Sequence, residues 1–187
     1  MYAERIYDPA DLEEIYALRV AAWRARVESF PDIGQWTDAH DTIAAHWAVR
    51  DRERIVAAAR LSVHDSLAEL PHAEIFDGVF SESLDGPIGS LNRLVVAASH
   101  SGRGCSAALD SIRINHARAQ GCRHVIGETY AGTKRIAQLA DLGFKVAGTA
   151  RPYLSGPLAV VKGVRGATAD DGHRMAAIIH MALDLTD

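Results

Sequence analysis

Apolar residues first recur at helical spacing and then give way to short apolar runs of strand length. Leu12, Ile15, Tyr16, Val20, Trp23 and Val27 form one helical stripe. Asp8 stands where an N-cap belongs, with Pro9 in the first turn and Asp11 near the positive end, so a helix is predicted to about Val27, after a short strand at Glu4 to Tyr7. A second helix is expected over Ala39 to Ala45, following the loop FPDIGQW with its aromatics Phe30 and Trp36. Trp47 to Arg50 and Ile55 to His64 read as a hairpin around the charged turn DRER, because Ile55, Ala57, Ala59, Leu61 and Val63 alternate with more polar positions. From Asp65 to Gly89 the pattern is irregular, broken by Pro71 and by Asp85-Gly86-Pro87, and reads as a long excursion.

Regularity returns with a strand at Gly89 to Ala97, a helix from Cys105 to Gln120 stopped by Gly121, and a strand at Arg123 to Thr129. A helix from Gly132 to Leu142 ends at Gly143, and Lys145 to Ala150 with Leu158 to Gly163 make a closing hairpin. This order predicts an α/β fold in which a central mixed sheet carries helices on both faces. Residues 1–164 are read as one domain and 165–187 as its C-terminal helical extension. Thr168 to Asp171 resembles a capping stretch, and Met175, Ile178, Ile179, Ala182 and Leu185 share a helical face. That face is expected to pack on its own domain, with contact to a second copy as the alternative.

Composition narrows the classes. The 187 residues are 48% hydrophobic and 24% charged, which is ordinary for a globular chain, and the net charge of -4 without a basic stripe argues against a nucleic-acid partner. No apolar run approaches the roughly 20 residues that span a bilayer, and the N-terminus lacks the pattern of an export signal, so a soluble cytoplasmic protein without a membrane partner is expected. Cys105 and Cys122 form no C-x-x-C pair and are read as free thiols. Nine histidines show no H-E-x-x-H and no cysteine partner at ligand spacing, so no metal is expected. There is no G-x-S-x-G elbow, and the glycine loop lies at mid-chain, where a dinucleotide fold would not have it.

That loop is the most informative feature. In LNRLVVAASHSGRGCSAAL, a strand enters a loop whose Gly102 and Gly104 permit tight turns and close approach, and the loop opens into a helix whose first amides point outward. The simpler reading is a strand-to-helix connection. The segment resembles the acyl-CoA-binding region of the GNAT superfamily of N-acyltransferases, whose Q/R-x-x-G-x-G/A loop is matched by Ser101, Gly102, Arg103, Gly104, Cys105 and Ser106, with Ser101 and Ser106 departing from the pattern. The stretch IAQLADLGF, through Gly143 and Phe144, is similar to a family helix ending in Leu-Gly-Phe.

The resemblance implies an enzyme that uses acetyl-CoA or another acyl-CoA as co-substrate and acylates a small-molecule amine by direct attack in a ternary complex. It implies that the backbone of Leu94, Val95 and Val96 pairs with the pantetheine arm, and that the amides of Ser101 to Ala107 take the pyrophosphate. Arg103 either adds charge there or is a solvated loop residue. The family's tyrosine position holds Leu139 and its asparagine position Gly132, which leaves the general acid unassigned. Glu128 is the candidate base, with pairing to an arginine such as Arg93 or Arg151 as the structural alternative. Tyr130 and Tyr153 are lesser candidates for an acid, and Asn92 either orients substrate or satisfies the sheet edge. Arg19, Trp23 and Arg93 are candidate acceptor-binding residues, and for Arg19 a snorkelling side chain at the core edge is the alternative. A carboxylate-bearing acceptor would suit the arginines. Two other readings stay open: a catalytically silent acyl-CoA-binding module, and a longer-chain N-acyltransferase in which the 65–89 excursion forms part of a tunnel.

Overall fold

The computed structural model describes residues 2–27, 30–150 and 176–183. Its elements are β1 (Glu4–Ile6), α1 (Pro9–Arg24), β2 (Ala45–Asp51), β3 (Arg54–His64), β4 (Ile88–Val96), α2 (Cys105–Ala119), β5 (His124–Tyr130), α3 (Lys134–Ala140), β6 (Lys145–Ala150) and β7 (Ala176–Ala182). The seven described strands follow the order β1-β2-β3-β4-β5-β7-β6 in one mixed sheet, in which β1–β2, β2–β3, β5–β7 and β6–β7 pair antiparallel and β4 runs parallel to β5. The mixed α/β architecture expected from the sequence is therefore present.

Contacts divide the described residues into two compact units, one holding those of 2–62 and 92–115, the other those of 63–91 and 116–150 with the β7 segment. In the first, the Asp8 side chain accepts from the Ala10 amide at 2.8 Å and Pro9 opens α1, as the N-cap pattern requires. The α1 stripe buries Ile15 and Ala22 against Ile6, Ala48, Ile55, Ala58 and Val95, with Leu12, Tyr16 and Trp23 at its margin. In the second unit, Leu70, Ile75 and Phe76 from the 65–87 excursion pack on Ile88 of β4, Ile126 of β5 and Ile178 of β7. The excursion is thus bound to the sheet face through two short 3-10 turns, Leu67–Glu69 and Ala73–Phe76.

Three expectations need correction. The predicted helix at Ala39 to Ala45 is a single 3-10 turn, Ala39–Thr42, closed by a capping box between Asp38 and Asp41, and β2 begins at Ala45. The short polar side chains of Asp38 and Asp41 bond back to the backbone here, a competitor that periodicity does not register. β3 is buried along nearly its whole length rather than on one face, because its polar positions Arg60, Ser62 and His64 are buried too. The predicted C-terminal helix is overturned at its centre: residues 176–182 form β7, which pairs antiparallel with β5 from His124↔Ala182 to Tyr130↔Ala176 and also with β6. Continuous burial of Ala177, Ile178 and Ile179 fits a central strand, and a run this apolar satisfies helical and strand spacing alike. The expected strand Leu158–Gly163, the capping stretch Thr168–Asp171, Arg151 and Tyr153 lie outside the described residues.

Candidate active site

β4 carries a local irregularity at the place where the site residues cluster. Its pairing with β5 runs from Ile88↔His124 to Leu91↔Gly127, and two residues further on Arg93 takes φ 54, a left-handed conformation inside a strand. Arg113 of α2 caps the neighbouring carbonyls, donating from Nη1 to Arg60 O at 3.0 Å and to Asn92 O at 3.4 Å. Asp110, one turn earlier, balances Arg113 at 2.6 Å, and both are buried. An arginine on α2 thereby satisfies strand carbonyls beside the left-handed Arg93.

On this frame stands a network of buried charge. Arg60 of β3 reaches Asp38 at 2.6 Å, Asp41 at 2.7 Å and the Asn92 side-chain oxygen. Arg19 of α1 binds Asp41 through both terminal nitrogens at 2.9 Å, and Arg93 binds Asp38 at 2.5 Å while its guanidinium lies 4.3 Å from the Trp36 ring centre. Burial alone would raise the Asp38 carboxyl, but hydrogen bonds from Arg60 and Arg93 and their charges hold it well below the carboxylate range. Asp41 is lowered in the same way, with Arg19 and Arg60 overcoming burial. Burial, with the charges of Arg19 and Arg60, pushes His46 down despite its bond to the Asp41 carbonyl, so its imidazole is neutral at pH 7. Three guanidinium groups thus meet two carboxylates among the described residues. The Arg93 side chain, 14% exposed, is the most accessible of the three, and burial lowers its pKa.

The network fixes where several predicted residues stand. Arg19 does not snorkel: it is 1% exposed and neutralised, because α1 turns it inward toward Asp41. Asn92 is engaged with Arg60, and Trp23 packs edge-on against Trp36 at 5.9 Å. Arg93 is bound to Asp38 and Arg151 lies outside the described residues, so the alternative Glu128–arginine pair is not seen among the described residues; Glu128 accepts from His72 Nδ1 at 3.0 Å. Tyr130 is half-buried at the end of β5, and its carbonyl accepts from Thr133.

The glycine loop is held at both ends and open between them. The Ala97 amide donates to Val56 O at 2.8 Å, and His100 is fixed by Asp51 at 3.0 Å and by Ser99 at 2.9 Å. Gly102 and Gly104 adopt φ 77 and 83, and a Cβ at either would meet nothing within 4 Å, so their conformation rather than crowding demands glycine. Ser101 to Gly104 are exposed, Arg103 among them. The Cys105 side chain is buried toward His100 O, while Ser106 and Ala107 lie in the first turn of α2, whose earliest internal bond is Ala108 N to Gly104 O at 3.1 Å. Amides at such a helix start lack internal partners and favour anions. Upstream, Val95 is a core residue that can offer a ligand only its backbone, whereas Leu94 and Val96 are half-buried.

Asp38, Asp41, Arg60 and Arg113 were not singled out by sequence reasoning. The available signal was charge inside apolar segments: Arg60 in VAAARLSV, and Asp110 and Arg113 three apart on a small-residue helix. His72 gave no signal, because its neighbour Glu128 is distant in sequence. Among the described residues no group of three or more His, Cys, Asp or Glu could hold a metal, and no helix is long and apolar enough to cross a membrane.

Comparison with solved structures agrees with this architecture. The ribosomal-protein-S18-alanine N-acetyltransferase of Escherichia coli superposes with a TM-score of 0.63 at 17% identity, covering 99% of this chain and 95% of that one. A Bacillus subtilis acetyltransferase in complex with CoA gives 0.63 at 13% identity, covering 97% and 98%. FeeM, an N-acyl amino acid synthase from uncultured soil microbes, gives 0.64 at 11% identity, covering 96% and 89%. No curated protein sequence matches the chain. The family model for GNAT acetyltransferases matches residues 12–144, which take in most of α1, the buried charge network, the β4 irregularity and the glycine loop, and the chain belongs to the acetyltransferase (GNAT) family.

Proposed function

We propose that this protein transfers an acyl group, acetyl in the simplest case, from an acyl-CoA thioester to the amine of a small molecule, by direct attack and without a covalent enzyme intermediate. The observation that carries the reading is the open glycine loop at the head of α2, anchored at Ala97 and His100 and unobstructed above Gly102 and Gly104. In this reading the pyrophosphate lies against the loop and the amides of Ser106 and Ala107, with Arg103 adding charge. The backbone of Leu94 to Val96 pairs with the pantetheine arm as an added strand, and an amide near Val96 polarises the thioester carbonyl. With Leu139 at the family's tyrosine position, CoA leaves as a thiolate; free thiols titrate near 8.5, so departure needs no acid.

Calorimetric titration with acetyl-CoA, desulfo-CoA and ATP tests the reading. Micromolar affinity for acetyl-CoA with ATP much weaker is the expected result, and thiol release with a panel of amines then separates a transferase from a silent binding module. No affinity for any of the three would reduce the glycine loop to a connection.

One observation favours a second reading of the acceptor. The excess of one guanidinium in the network, with Arg93 as its accessible member, would be offset by an acceptor carrying a carboxylate, and the resemblance to FeeM, an N-acyl amino acid synthase, is in keeping with an amino-acid acceptor. Thiol release with L-phenylalanine compared with phenethylamine, and with acetyl compared with decanoyl donors, separates these cases.

A further inference from the structure

We propose that Asp51, at the end of β2, sets the affinity of the glycine loop for its acyl-CoA donor, acting through His100 as a residue that positions rather than binds. The inference rests on the acyl-CoA reading and deepens it. Ser101 to Gly104 are exposed, and a Cβ at Gly102 or Gly104 would meet nothing within 4 Å, so packing does not hold the loop in its shape. Both glycines stand in the left-handed region, at φ 77 and 83, and glycine loses more conformational freedom on ordering than any other residue. Freedom that the unligated loop keeps must be given up when a ligand binds, at a cost in affinity. Bonds at the border of the loop therefore decide how much of that cost remains.

Those bonds converge on one residue. The His100 side chain is 11% exposed, and its Nε2 donates to Asp51 Oδ2 at 3.0 Å, since a carboxylate can only accept. In the neutral ring Nδ1 is then an acceptor, and the Ser99 hydroxyl donates to it at 2.9 Å. The His100 carbonyl accepts from the Arg103 amide at 3.4 Å and lies 4.0 Å from the Cys105 thiol, the two neighbours of Gly104. Its amide donates to Ala97 O at 2.9 Å, and the Ala97 amide donates to Val56 O of β3 at 2.8 Å. His100 thus closes the loop on itself through its backbone and fastens it to the β2–β3 hairpin through its ring. Among the described residues, Asp51 is the partner that fixes the imidazole from outside the loop, across 49 positions of sequence.

Asp51 lies at the turn of the hairpin, opposite Arg54 in the register, and its side chain is 54% exposed. An ion pair this open adds little to stability, so the fold does not require it. By charge alone, a carboxylate in the neighbourhood of a phosphate site weakens anion binding, and its removal would tighten the complex. A carboxylate that holds the anchor of the loop has the opposite effect: its removal loosens the complex. The difference in sign makes Asp51 the informative position.

The test uses the full chain, calorimetry with acetyl-CoA and desulfo-CoA, and thiol release with a panel of amines. Asp51→Ala should weaken acetyl-CoA affinity about tenfold, the equivalent of one charge-assisted hydrogen bond, with a urea midpoint near that of the parent. The KM for acetyl-CoA should rise in step while kcat at saturating donor stays within about twofold, a split that general loosening of the fold would not give. His100→Ala should lose as much affinity, and the double variant no more than His100→Ala alone, because both changes remove one tie; independent losses would multiply. Asp51→Asn, which keeps an acceptor oxygen, should bind within about threefold of the parent. Parent-like or tighter binding by Asp51→Ala, or losses that multiply in the double variant, overturns the inference while leaving the acyl-CoA site in place. A parent chain that binds neither acetyl-CoA nor desulfo-CoA removes that site, and the inference with it. Asp51→Ala carries the test alone if His100→Ala does not fold.

Discussion

The far half of β4, with β3 and α1, joins a network of buried charge to its apolar core, whereas the near half of β4, with β5 and β7, is packed almost wholly in hydrocarbon. In the first region Arg60 bridges Asp38 and Asp41, and the carbonyls of Arg60 and Asn92 accept from the Arg113 guanidinium of α2. In the second, Ile88, Ile126 and Ile178 receive Leu70, Ile75 and Phe76, and one His–Glu pair stands at the margin. Buried ion networks are strongly directional and give little net stability for the desolvation they cost, while apolar packing is stabilising and tolerant. The contrast indicates that the region leading into the glycine loop is specified for geometry, and that the β5–β7 region supplies a stable platform from which an excursion can present a side chain.

The largest effect should come from removing the shared cation. Arg60→Met leaves Asp38 and Asp41 buried with less compensation and is expected to cost about 3–5 kcal/mol, read as a lowered urea midpoint. A loss under about 1 kcal/mol would mean that the network is not coupled through Arg60. On the apolar side, Ile126→Ala should cost about 2–5 kcal/mol by cavity formation. Its loss should not depend on salt, and a salt-dependent loss would blur the distinction between the regions.

Acid sharpens the comparison further. Burial first, and for His180 also the neighbouring His124, lowers the pKa of His46, His124 and His180. A depressed folded-state value means that the unfolded chain binds more protons, so this part of the stability is complete above the unfolded value near 6.5 and is lost as pH falls through the folded values. Asp38 and Asp41, also depressed, add a loss that begins only near the unfolded carboxylate value of about 3.9. Urea midpoints measured from pH 7.5 to 3 should therefore decline in two stages, and a flat profile down to pH 4.5 would remove the histidine contribution. The smallest effect belongs to the loop. Gly104→Ala meets no atom and costs about 1–2 kcal/mol through the left-handed backbone alone, yet it should weaken acetyl-CoA binding if the loop must keep this shape for phosphate.

Much of this was legible in the sequence because local chemistry dictated it. Asp8 and Pro9 start α1, the paired glycines mark the loop, and Lys145–Ala150 is a strand as its pattern implied. What escaped reading depended on partners remote in the chain. Arg60 and Asn92 meet across 32 positions, and His72 and Glu128 across 56. β7 was misread because a buried alanine- and isoleucine-rich run carries no face that distinguishes a helix from an interior strand; its neighbours β5 and β6 decide the matter.

The position of β7 also bears on how the chain is made. Residues 176–182 lie between two strands synthesised earlier, so while the polypeptide is still growing β5 and β6 have backbone donors and acceptors with no sheet neighbour on the sides that β7 will occupy. Until β7 arrives these two edges stay open, a window in which another chain can pair with them, and low crowding of like chains should favour the correct product.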